Sequence, residues 1–256
     1  MKRNLGIMIA DCEINGALET LDIISEQGFN AFFTMPVSKE YCHKIKERAD
    51  QLGVKYEFIH ATWDKINELW TSEQTPQIML DLNEQIDLCA SIGVDKLIVH
   101  LSSGDKAPFV NDLGFKRLDA LVDHAKSKNV KLVFENQRKL YSLACVLERY
   151  KDCDTVGFCF DSGHEKCFSK NVRFLDFWAD RVVCTHLHDN CGKHESDDHK
   201  LPFEGVVEFD YVMDRLNKAG YSGSLMLEVP HTKYPNLTKK EFFKKAYKSV
   251  EKLSKM

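Results

Sequence analysis

Short apolar stretches of four to seven residues alternate along the chain with longer stretches in which apolar residues recur at helical spacing. The short stretches are rich in β-branched and aromatic residues and predict buried strands, whereas the longer ones predict amphipathic helices. Eight strand–helix units follow one another, at about 32 residues a unit. The predicted strands are Asn4–Ala10, Asn30–Thr34, Val54–Ile59, Lys96–Val99, Lys131–Phe134, a run from Thr155 that ends on Asp161, Arg181–Thr185 and Ser224–Leu227.

Capping residues mark several of the predicted helices. Ser38 is a good N-cap, and Gly28, Gly53 and Gly93 each follow the end of a helical pattern. We expect irregular chain from Trp63 to Trp70 and a turn at Ser162–Gly163. The predicted helices are Ile14–Gln27, Ser38–Leu52, Gln77–Ile92, one that ends at Asn129, Tyr141–Tyr150, Val172–Ala179, Phe209–Ala219 and Thr238–Ser254.

The order of these elements predicts an α/β protein with a parallel sheet covered by helices. Eight units of this length favour closure into a (β/α)8 TIM barrel over an open doubly wound sheet. The first predicted strand is not followed by Gly-x-Gly-x-x-Gly, which weakens the dinucleotide-binding alternative. Because no linker or low-complexity tract interrupts the pattern, we expect residues 1–256 to form one domain.

Composition narrows the classes of function. The net charge of −4 argues against a surface that holds nucleic acid by its phosphates. The sequence has no apolar run of 18 residues and no apolar N-terminal segment, so we expect a cytoplasmic protein without a membrane partner. Nine cysteines, none of them in a Cys-x-x-Cys pair, predict reduced and mostly buried thiols.

Six consecutive predicted strands, the third to the eighth, are each followed by a side chain that can bind a metal ion. In (β/α)8 barrels the C-terminal ends of the strands meet at one face, where the active site is built. Any one of these residues taken alone is more often a loop residue or a satisfied polar group, but six together are better explained by a metal-centred site. They are His60, His100, Glu135, Asp161, His186 and Glu228.

Four of these residues, from adjacent strands, form the expected inner set of ligands. Three carboxylates and one imidazole offer mainly hard donors, which suit Mn²⁺ or Zn²⁺, with Mg²⁺ and Co²⁺ as alternatives. The inner set is Glu135, Asp161, His186 and Glu228, and the candidates for additional metal ligands are His60, His100, His164, Asp197 and His199.

The motifs resemble those of the xylose isomerase-like TIM barrel superfamily over essentially the whole chain. They agree with that superfamily in order and in strand position, which makes the resemblance specific. One departure is Pro202-Phe203-Glu204-Gly205, where the superfamily has Pro-Gly-x-Gly. The matching motifs are His60, His100, Val-Phe-Glu135-Asn136, Phe-Asp161-Ser-Gly-His164, His186-Leu-His-Asp189-Asn190, Asp197-x-His199 and Leu-Glu228.

The resemblance implies a metal-dependent enzyme, since this superfamily includes sugar phosphate isomerases and epimerases, tagatose and psicose 3-epimerases, inosose dehydratase and endonuclease IV. In the epimerases the residues that match the inner set hold one Mn²⁺. In endonuclease IV a nine-ligand set holds three zinc ions, and each of its positions has a match here. The number and identity of the metals therefore stay open.

The function expected from this resemblance is isomerisation or epimerisation of a sugar or sugar phosphate. Proton transfer next to a carbonyl, through an enediolate, would use Glu135 and Glu228 as acid and base. His164 and His188 would bind substrate hydroxyls, although His188 is equally well explained as a solvated loop residue. Trp63 would pack on a sugar face or simply on the rim of the barrel.

Three other functions stay open at this point. Removal of a proton next to a carbonyl also fits a lyase that dehydrates a polyol or keto acid. The nine-ligand match fits a phosphodiesterase that cleaves DNA at abasic sites, against which stand the net charge and the lack of a Lys/Arg run in the strand-end loops. A barrel that binds sugar without turnover would need a defect among the ligands, and none is apparent. We expect a small sugar as partner, and the sequence leaves a homo-oligomer open.

Overall fold

Eight parallel strands form one sheet in the order β7-β6-β5-β4-β3-β2-β1-β8. The computed structural model describes residues 3–169 and 171–256. Strands β1 to β7 each pair with their neighbours along the chain, and β8 pairs with β1, which is the connectivity that consecutive β–α units produce. The strands are β1 Leu5–Met8, β2 Ala31–Thr34, β3 Lys55–His60, β4 Lys96–Val99, β5 Lys131–Glu135, β6 Val156–Asp161, β7 Val182–His186 and β8 Leu225–Leu227.

The sheet closes between β7 and β8 just beyond the end of β7. Leu187 N–H donates to Met226 O at 2.8 Å, and Glu228 N–H donates to Leu187 O at 3.3 Å. The Thr185 hydroxyl donates to Ser224 O at 3.1 Å and accepts from Met226 N–H at 3.2 Å. A side chain thus replaces part of the regular ladder, and the predicted (β/α)8 barrel is confirmed.

The helices surround the sheet, and their ends agree with the capping pattern in the sequence. Ser38 accepts a hydrogen bond from Tyr41 N–H, and Thr238 forms a capping box with Glu241. Within the described residues, none of the helices has the length and apolar character that a membrane crossing requires. The helices are α1 Ile14–Gln27, α2 Lys39–Leu52, α3 Glu68–Thr71, α4 Gln77–Ser91, α5 Asp112–Ser127, α6 Leu140–Arg149, α7 Ser162–Phe168, α8 Leu175–Trp178, α9 Phe209–Lys218 and α10 Lys239–Ser254.

Three local predictions are wrong. The stretch from Trp63 to Trp70 is not all irregular, because α3 forms where Trp70 is buried and its Nε1–H donates to Leu101 O at 2.7 Å. The predicted turn at Ser162–Gly163 is instead the first turn of α7. The predicted helix Val172–Ala179 is shortened to α8, and Phe174 N–H, just before it, donates to the Glu165 carboxylate at 2.7 Å.

Two apolar layers support the barrel. The larger layer lies between the strands and the helices. Inside the barrel, the aromatic rings of Phe33 and Phe58 lie 5.0 and 5.5 Å from the ring of His186, so this layer forms the floor of the C-terminal face. All nine cysteines are free and five of them are buried, in agreement with reduced thiols. The inner layer consists of Ala31, Phe33, Phe58, Ile98, Val133, Cys159, Cys184 and Met226.

An ion pair closes the opposite, N-terminal end of the barrel. The ammonium of Lys96 lies 3.1 Å from Glu57 Oε1, and both side chains are buried. Glu57 Oε2 accepts from the Ser224 hydroxyl at 2.9 Å and lies 2.9 Å from the half-exposed ammonium of Lys55. Burial alone would raise the pKa of Glu57, but the charges of Lys96 and Lys55 outweigh it and lower that pKa. This end is therefore a structural feature, remote from the strand-end ligands.

Replacing Lys96 by methionine is expected to lower the free energy of unfolding by about 3 kcal/mol, because buried Glu57 would lose its buried cationic partner and keep only the half-exposed Lys55. Denaturant unfolding measures the change. The matched control is Lys128→Met, whose partner Asp87 at 2.8 Å is half-exposed, so about 0.5 kcal/mol is expected. Equal losses in the two variants would contradict the structural role of the Glu57–Lys96 pair.

Candidate metal centre

The Glu135 carboxylate lies at the centre of the C-terminal face. Its Oε1 is 2.7 Å from His186 Nδ1, and its Oε2 is 2.7 Å from His100 Nε2 and 3.6 Å from His60 Nε2. Glu135, His60 and His186 are almost completely buried, and His100 is nearly so. The end of β5 thus joins two groups of histidines through the two oxygens of one carboxylate.

Asp161 and Glu228 complete the predicted inner set around His186. His186 Nδ1 lies 3.9 Å from Asp161 Oδ2 and 3.5 Å from Glu228 Oε2, besides its short contact with Glu135. Three carboxylates therefore approach one imidazole nitrogen within 4 Å, from strands that are distant in the chain. The structure brings together all four residues that the sequence selected for the inner set.

A further group lies beside the inner set, at the loop that follows β7. Asp197 Oδ2 is 3.3 Å from His164 Nε2 and 3.1 Å from His199 Nε2. His199 Nδ1 lies 2.8 Å from Glu228 O, and His164 Nδ1 lies 3.7 Å from Asp161 Oδ2. The predicted additional ligands thus adjoin the inner set instead of forming a separate site.

His188 is fully buried, so its interpretation as a solvated loop residue is wrong. Its Nε2 lies 3.1 Å from the Asp161 carboxylate and 3.7 Å from Asp197 Oδ1. The Ser162 hydroxyl donates to His188 O at 2.8 Å and fixes the backbone there. A Cβ atom at Gly163 would lie 1.9 Å from the His188 ring, so this close approach requires glycine.

Local hydrogen bonds hold Asp161 in position. Asp161 is the N-cap of α7, where Oδ1 accepts from His164 N–H at 2.6 Å, which is why a helix begins where a turn was predicted. The Asn136 side chain donates to Asp161 O at 2.8 Å and accepts from Asp161 N–H at 2.7 Å. The motif Glu-Asn on β5 therefore braces the neighbouring ligand on β6.

Asp189 organises the loop that carries Asp197 and His199. Its carboxylate accepts backbone N–H groups from Phe203, Gly205 and Val207 at 2.9 to 3.1 Å. Phe203 stands where the superfamily has glycine and adopts a φ of 75°, a left-handed conformation that glycine takes at lower cost. The missing glycine has therefore not prevented this turn, which brings the donors Phe203, Gly205 and Val207 to one carboxylate.

The carboxylates of the face have pKa values shifted in opposite directions. Burial alone would raise the pKa of Glu135, but the charges of His186 and His164 and the hydrogen bond from His100 outweigh it and lower that pKa well below the ordinary value. Burial, together with repulsion from Glu135 and Asp161, raises the pKa of Glu228 well above the ordinary value. A divalent cation among these carboxylates would offset this repulsion.

The pKa values of two histidines at this face are also shifted in opposite directions. Burial lowers the pKa of His164, but the charges of Asp161 and Glu135 and a hydrogen bond with Asp197 outweigh it and raise that pKa to about 10. Burial lowers the pKa of His100 to about 4, even though Glu135 acts in the opposite direction. His100 is therefore neutral at pH 7, the form in which an imidazole binds a metal.

The donor atoms fit a divalent cation. Within residues 3–169 and 171–256, two buried carboxylate oxygens at this face, Glu228 Oε2 and Asp197 Oδ1, have no hydrogen-bond donor. Buried carboxylate oxygens without a donor are costly unless a cation or another donor meets them. Several triads of His, Asp and Glu side chains here have ligand atoms within 4.8 Å of one another, among them His60–His100–Glu135 and His60–His186–Glu228.

Trp63 lies at the rim of this face. Its ring stacks on His100 with centroids 5.1 Å apart and meets His60 edge-on at 5.3 Å. The Trp63 side chain is 43% exposed and lines an open groove of about 530 Å³, together with Lys65, Asn67 and other residues. An aromatic surface is thus available next to the two histidines that adjoin Glu135.

Two residues of the site were not selected from the sequence. Asn136 braces Asp161 and was visible only as part of the Glu-Asn motif. Gln137 is buried and contacts Glu135 and His100 at 3.0 and 3.1 Å. An amide two residues beyond a strand end is common in loops, so no pattern in the sequence distinguishes it.

Fold and site together define a (β/α)8 barrel with a candidate metal centre at the C-terminal ends of its strands. A family model described as "Xylose isomerase-like TIM barrel" matches residues 21–252. The chain therefore belongs to the xylose isomerase-like TIM barrel family, as its motifs indicated.

Two sequence relatives are informative. An uncharacterized protein of Sinorhizobium fredii is 29% identical over 191 residues, a match that covers 68% of this chain and 60% of that protein's length. A probable endonuclease 4 of Mycoplasma capricolum is 27% identical over 172 residues, a match that covers 59% of each protein.

Solved structures show the same fold. An L-ribulose 3-epimerase matches with a TM-score of 0.78 at 16% identity, covering 98% of this chain and 94% of that one. A D-psicose 3-epimerase from Clostridium cellulolyticum matches with a TM-score of 0.73 at 12% identity, covering 100% and 98% of the two chains. At these identities the likeness concerns the barrel architecture alone.

Proposed function

We propose that this protein is a divalent-metal-dependent isomerase or epimerase that acts on a sugar or a sugar phosphate. The observation that carries the proposal is the approach of Glu135 and Glu228 to the same nitrogen, His186 Nδ1, at 2.7 and 3.5 Å. Two carboxylates beside one cation are what proton transfer next to a carbonyl requires. The epimerase folds among the structural neighbours support this choice.

The inner set would hold the cation. Glu135, Asp161 and Glu228 would supply oxygens and His186 a nitrogen, a donor set suited to Mn²⁺ or Zn²⁺. When bound, such a cation acts as a Lewis acid that stabilises negative charge on the substrate oxygens. The apolar floor formed by Phe33 and Phe58 keeps water away from one side of His186.

Glu135 and Glu228 would hold and transfer the proton. Glu135 ends β5 and Glu228 directly follows β8, and β6 and β7 separate these strands in the closed barrel, so the two carboxylates approach the centre from different sides. A carboxylate on each side of the substrate carbon can remove a proton from one face and return it to the other. Return of the proton to the same carbon from the opposite face would give epimerisation, and its return to the neighbouring carbon would give isomerisation.

Three further side chains would complete the substrate site. His164, at the edge of the inner set, would bind a substrate hydroxyl, and Trp63 would pack against an apolar face of the sugar. His188 is enclosed between Asp161 and Asp197, so we propose that it orients these carboxylates. The direct contact of His188 with substrate, expected from the sequence, stays a prediction.

A second candidate function is cleavage of DNA at abasic sites. The observation that favours it is the group His164–Asp197–His199, which places further metal-competent atoms 3.1 to 3.3 Å apart beside the inner set. Metal clusters of this kind activate water for attack on a phosphodiester. The similarity to a probable endonuclease 4 points in the same direction, whereas the net charge of −4 opposes it.

Incubation of the protein with Mn²⁺ or Zn²⁺ and a panel of ketoses and ketose phosphates in deuterated water tests the proposal. Deuterium incorporation at one sugar carbon, with conversion to the isomer or epimer, is the expected result. An abasic-site DNA duplex serves as the parallel substrate. Metal-dependent nicking without sugar exchange would overturn the proposal in favour of the nuclease, and release of a dehydrated product would favour a lyase.

A further inference from the structure

The Gln137 amide occupies an unusual position within the metal centre. Its side chain is buried, and its Nε2 lies 3.0 Å from Glu135 Oε2 and 3.1 Å from His100 Nε2. The same nitrogen lies 3.3 Å from His164 Nδ1. One amide group thus contacts three side chains that the metal centre would use.

Gln137 differs in this respect from Asn136, the amide before it. Asn136 binds only the backbone of Asp161 and leaves the carboxylate oxygens of that ligand free. Gln137 approaches the side-chain atoms of Glu135 and His100 that face each other at 2.7 Å. Gln137 therefore contacts the atoms that would bind a cation, whereas a supporting residue would contact the opposite side of each ligand.

We call His60, His100 and Glu135 Oε2 the histidine arm of the site. His60 Nδ1 is engaged by Ala61 O at 2.9 Å, which leaves Nε2, 3.6 Å from Glu135 Oε2, as the atom that can bind a cation. The definite hydrogen bond of the amide is the one that Gln137 Nε2–H donates to Glu135 Oε2, so a cation in the arm would face the positive end of this N–H dipole. A cation in the arm must therefore compete with the Gln137 amide for Glu135 Oε2.

We propose that Gln137 weakens cation binding in the histidine arm, so that the inner set of Glu135, Asp161, His186 and Glu228 fills first and the arm fills last. This inference rests on the proposed metal-dependent function and adds to it the order in which metal positions fill. It favours a centre with one tightly bound cation, which suits sugar chemistry, over a fully occupied cluster. Gln137 is thus a positioning residue that acts through the ligands of the arm.

Calorimetric titration of the metal-free full chain with Zn²⁺, combined with metal analysis after gel filtration, tests the inference. The Gln137→Met substitution keeps the side-chain length and removes the hydrogen-bond donor. In this variant we expect the histidine arm, which is the weaker site, to bind Zn²⁺ about tenfold more tightly. A hydrogen bond to a charged group is strong enough to account for such a change. Affinity at the tight site should stay within about twofold of the starting protein.

Two controls make the result specific. Gln85→Met removes another buried amide, which binds Thr62 at 2.8 Å and contacts no ligand, and it should leave zinc binding unchanged. His100→Ala in the Gln137→Met background should abolish the gain. Gln137→Ala, which removes the amide without adding bulk, should shift the affinity in the same direction, so a folding defect in one variant cannot decide the outcome.

Unchanged or weaker binding in both Gln137 variants would overturn the inference, as would a gain that survives His100→Ala. These outcomes are distinct from failure of the proposed function. If the unsubstituted chain binds no Zn²⁺ or Mn²⁺ at all, the metal-dependent function and the inference fail together. If it binds one cation tightly and the Gln137 variants show no gain, the inference alone fails.

Discussion

Glu135→Gln is expected to reduce sugar exchange by about 10³-fold, the largest effect of any single substitution considered for this site. Glutamine keeps the shape of the side chain but removes the negative charge that lies 2.7 Å from both His186 Nδ1 and His100 Nε2. It would therefore remove a proton-transfer group and a metal ligand together. Deuterium exchange measures the first loss, and metal analysis of the purified variant measures the second.

The matched control for this substitution is Glu165→Gln. Glu165 is also buried, and it lies one residue beyond His164, but its carboxylate binds Phe174 N–H and approaches Arg173 instead of the metal centre. The rate of sugar exchange in Glu165→Gln should stay within about threefold of that of the starting protein, because the Glu165 carboxylate contacts no ligand of the metal centre. Equal losses in Glu135→Gln and Glu165→Gln would contradict a special role for Glu135.

Removal of the cation by a chelator is expected to abolish exchange and to lower the melting temperature by roughly 5–10 °C. A cation present at 100 times its dissociation constant stabilises the folded state by about 2.7 kcal/mol, and a protein of this size responds by about 2–4 °C per kcal/mol. The physical cause is the group of buried carboxylates, where repulsion from Glu135 and Asp161 contributes to the raised pKa of Glu228. Differential scanning calorimetry with and without chelator measures the shift.

Glu228→Gln provides the control for metal removal. It removes a carboxyl group whose ionisation is opposed by burial and by Glu135 and Asp161, so we expect the variant to lose most of the stabilisation by cation and to melt, without cation, at or above the temperature of the metal-free starting protein. Restoration of exchange by added Mn²⁺ or Zn²⁺ is expected only for the unsubstituted chain. A chelator without effect on either melting or exchange would refute the assignment of a functional cation.

Elements with strong periodicity and clear caps could be predicted from the sequence. The bounds predicted for Ile14–Gln27 and Lys96–Val99 are those of α1 and β4, because a C-capping glycine and a uniform apolar run mark them. The helix α7 could not be recognised, since it starts only because the Asp161 side chain accepts from His164 N–H. The hydrogen bond from Phe174 N–H to the Glu165 carboxylate, just before α8, is likewise a tertiary contact that sequence periodicity does not encode.

The residues of the site also divide into those that local sequence patterns predict and those that depend on tertiary contacts. Strand-end positions identify candidate ligands because β-strands place their last side chains at a fixed face of a barrel. No pattern in the sequence indicated that His188 is enclosed between two carboxylates or that Gln137 reaches Glu135 and His100. Both residues lie in loops, whose course depends on tertiary contacts such as the close approach of Gly163 to His188.

The sequence by itself determined the barrel and the set of polar residues at its C-terminal face, because strand period, helix period and chain order are local properties. Only the tertiary structure decided which of those polar atoms face one another. Glu135 joins two groups of histidines with its two oxygens, and Gln137 competes for one of them. Distances of about 3 Å between residues on different strands depend on closure of the sheet between β7 and β8, which no single stretch of sequence specifies.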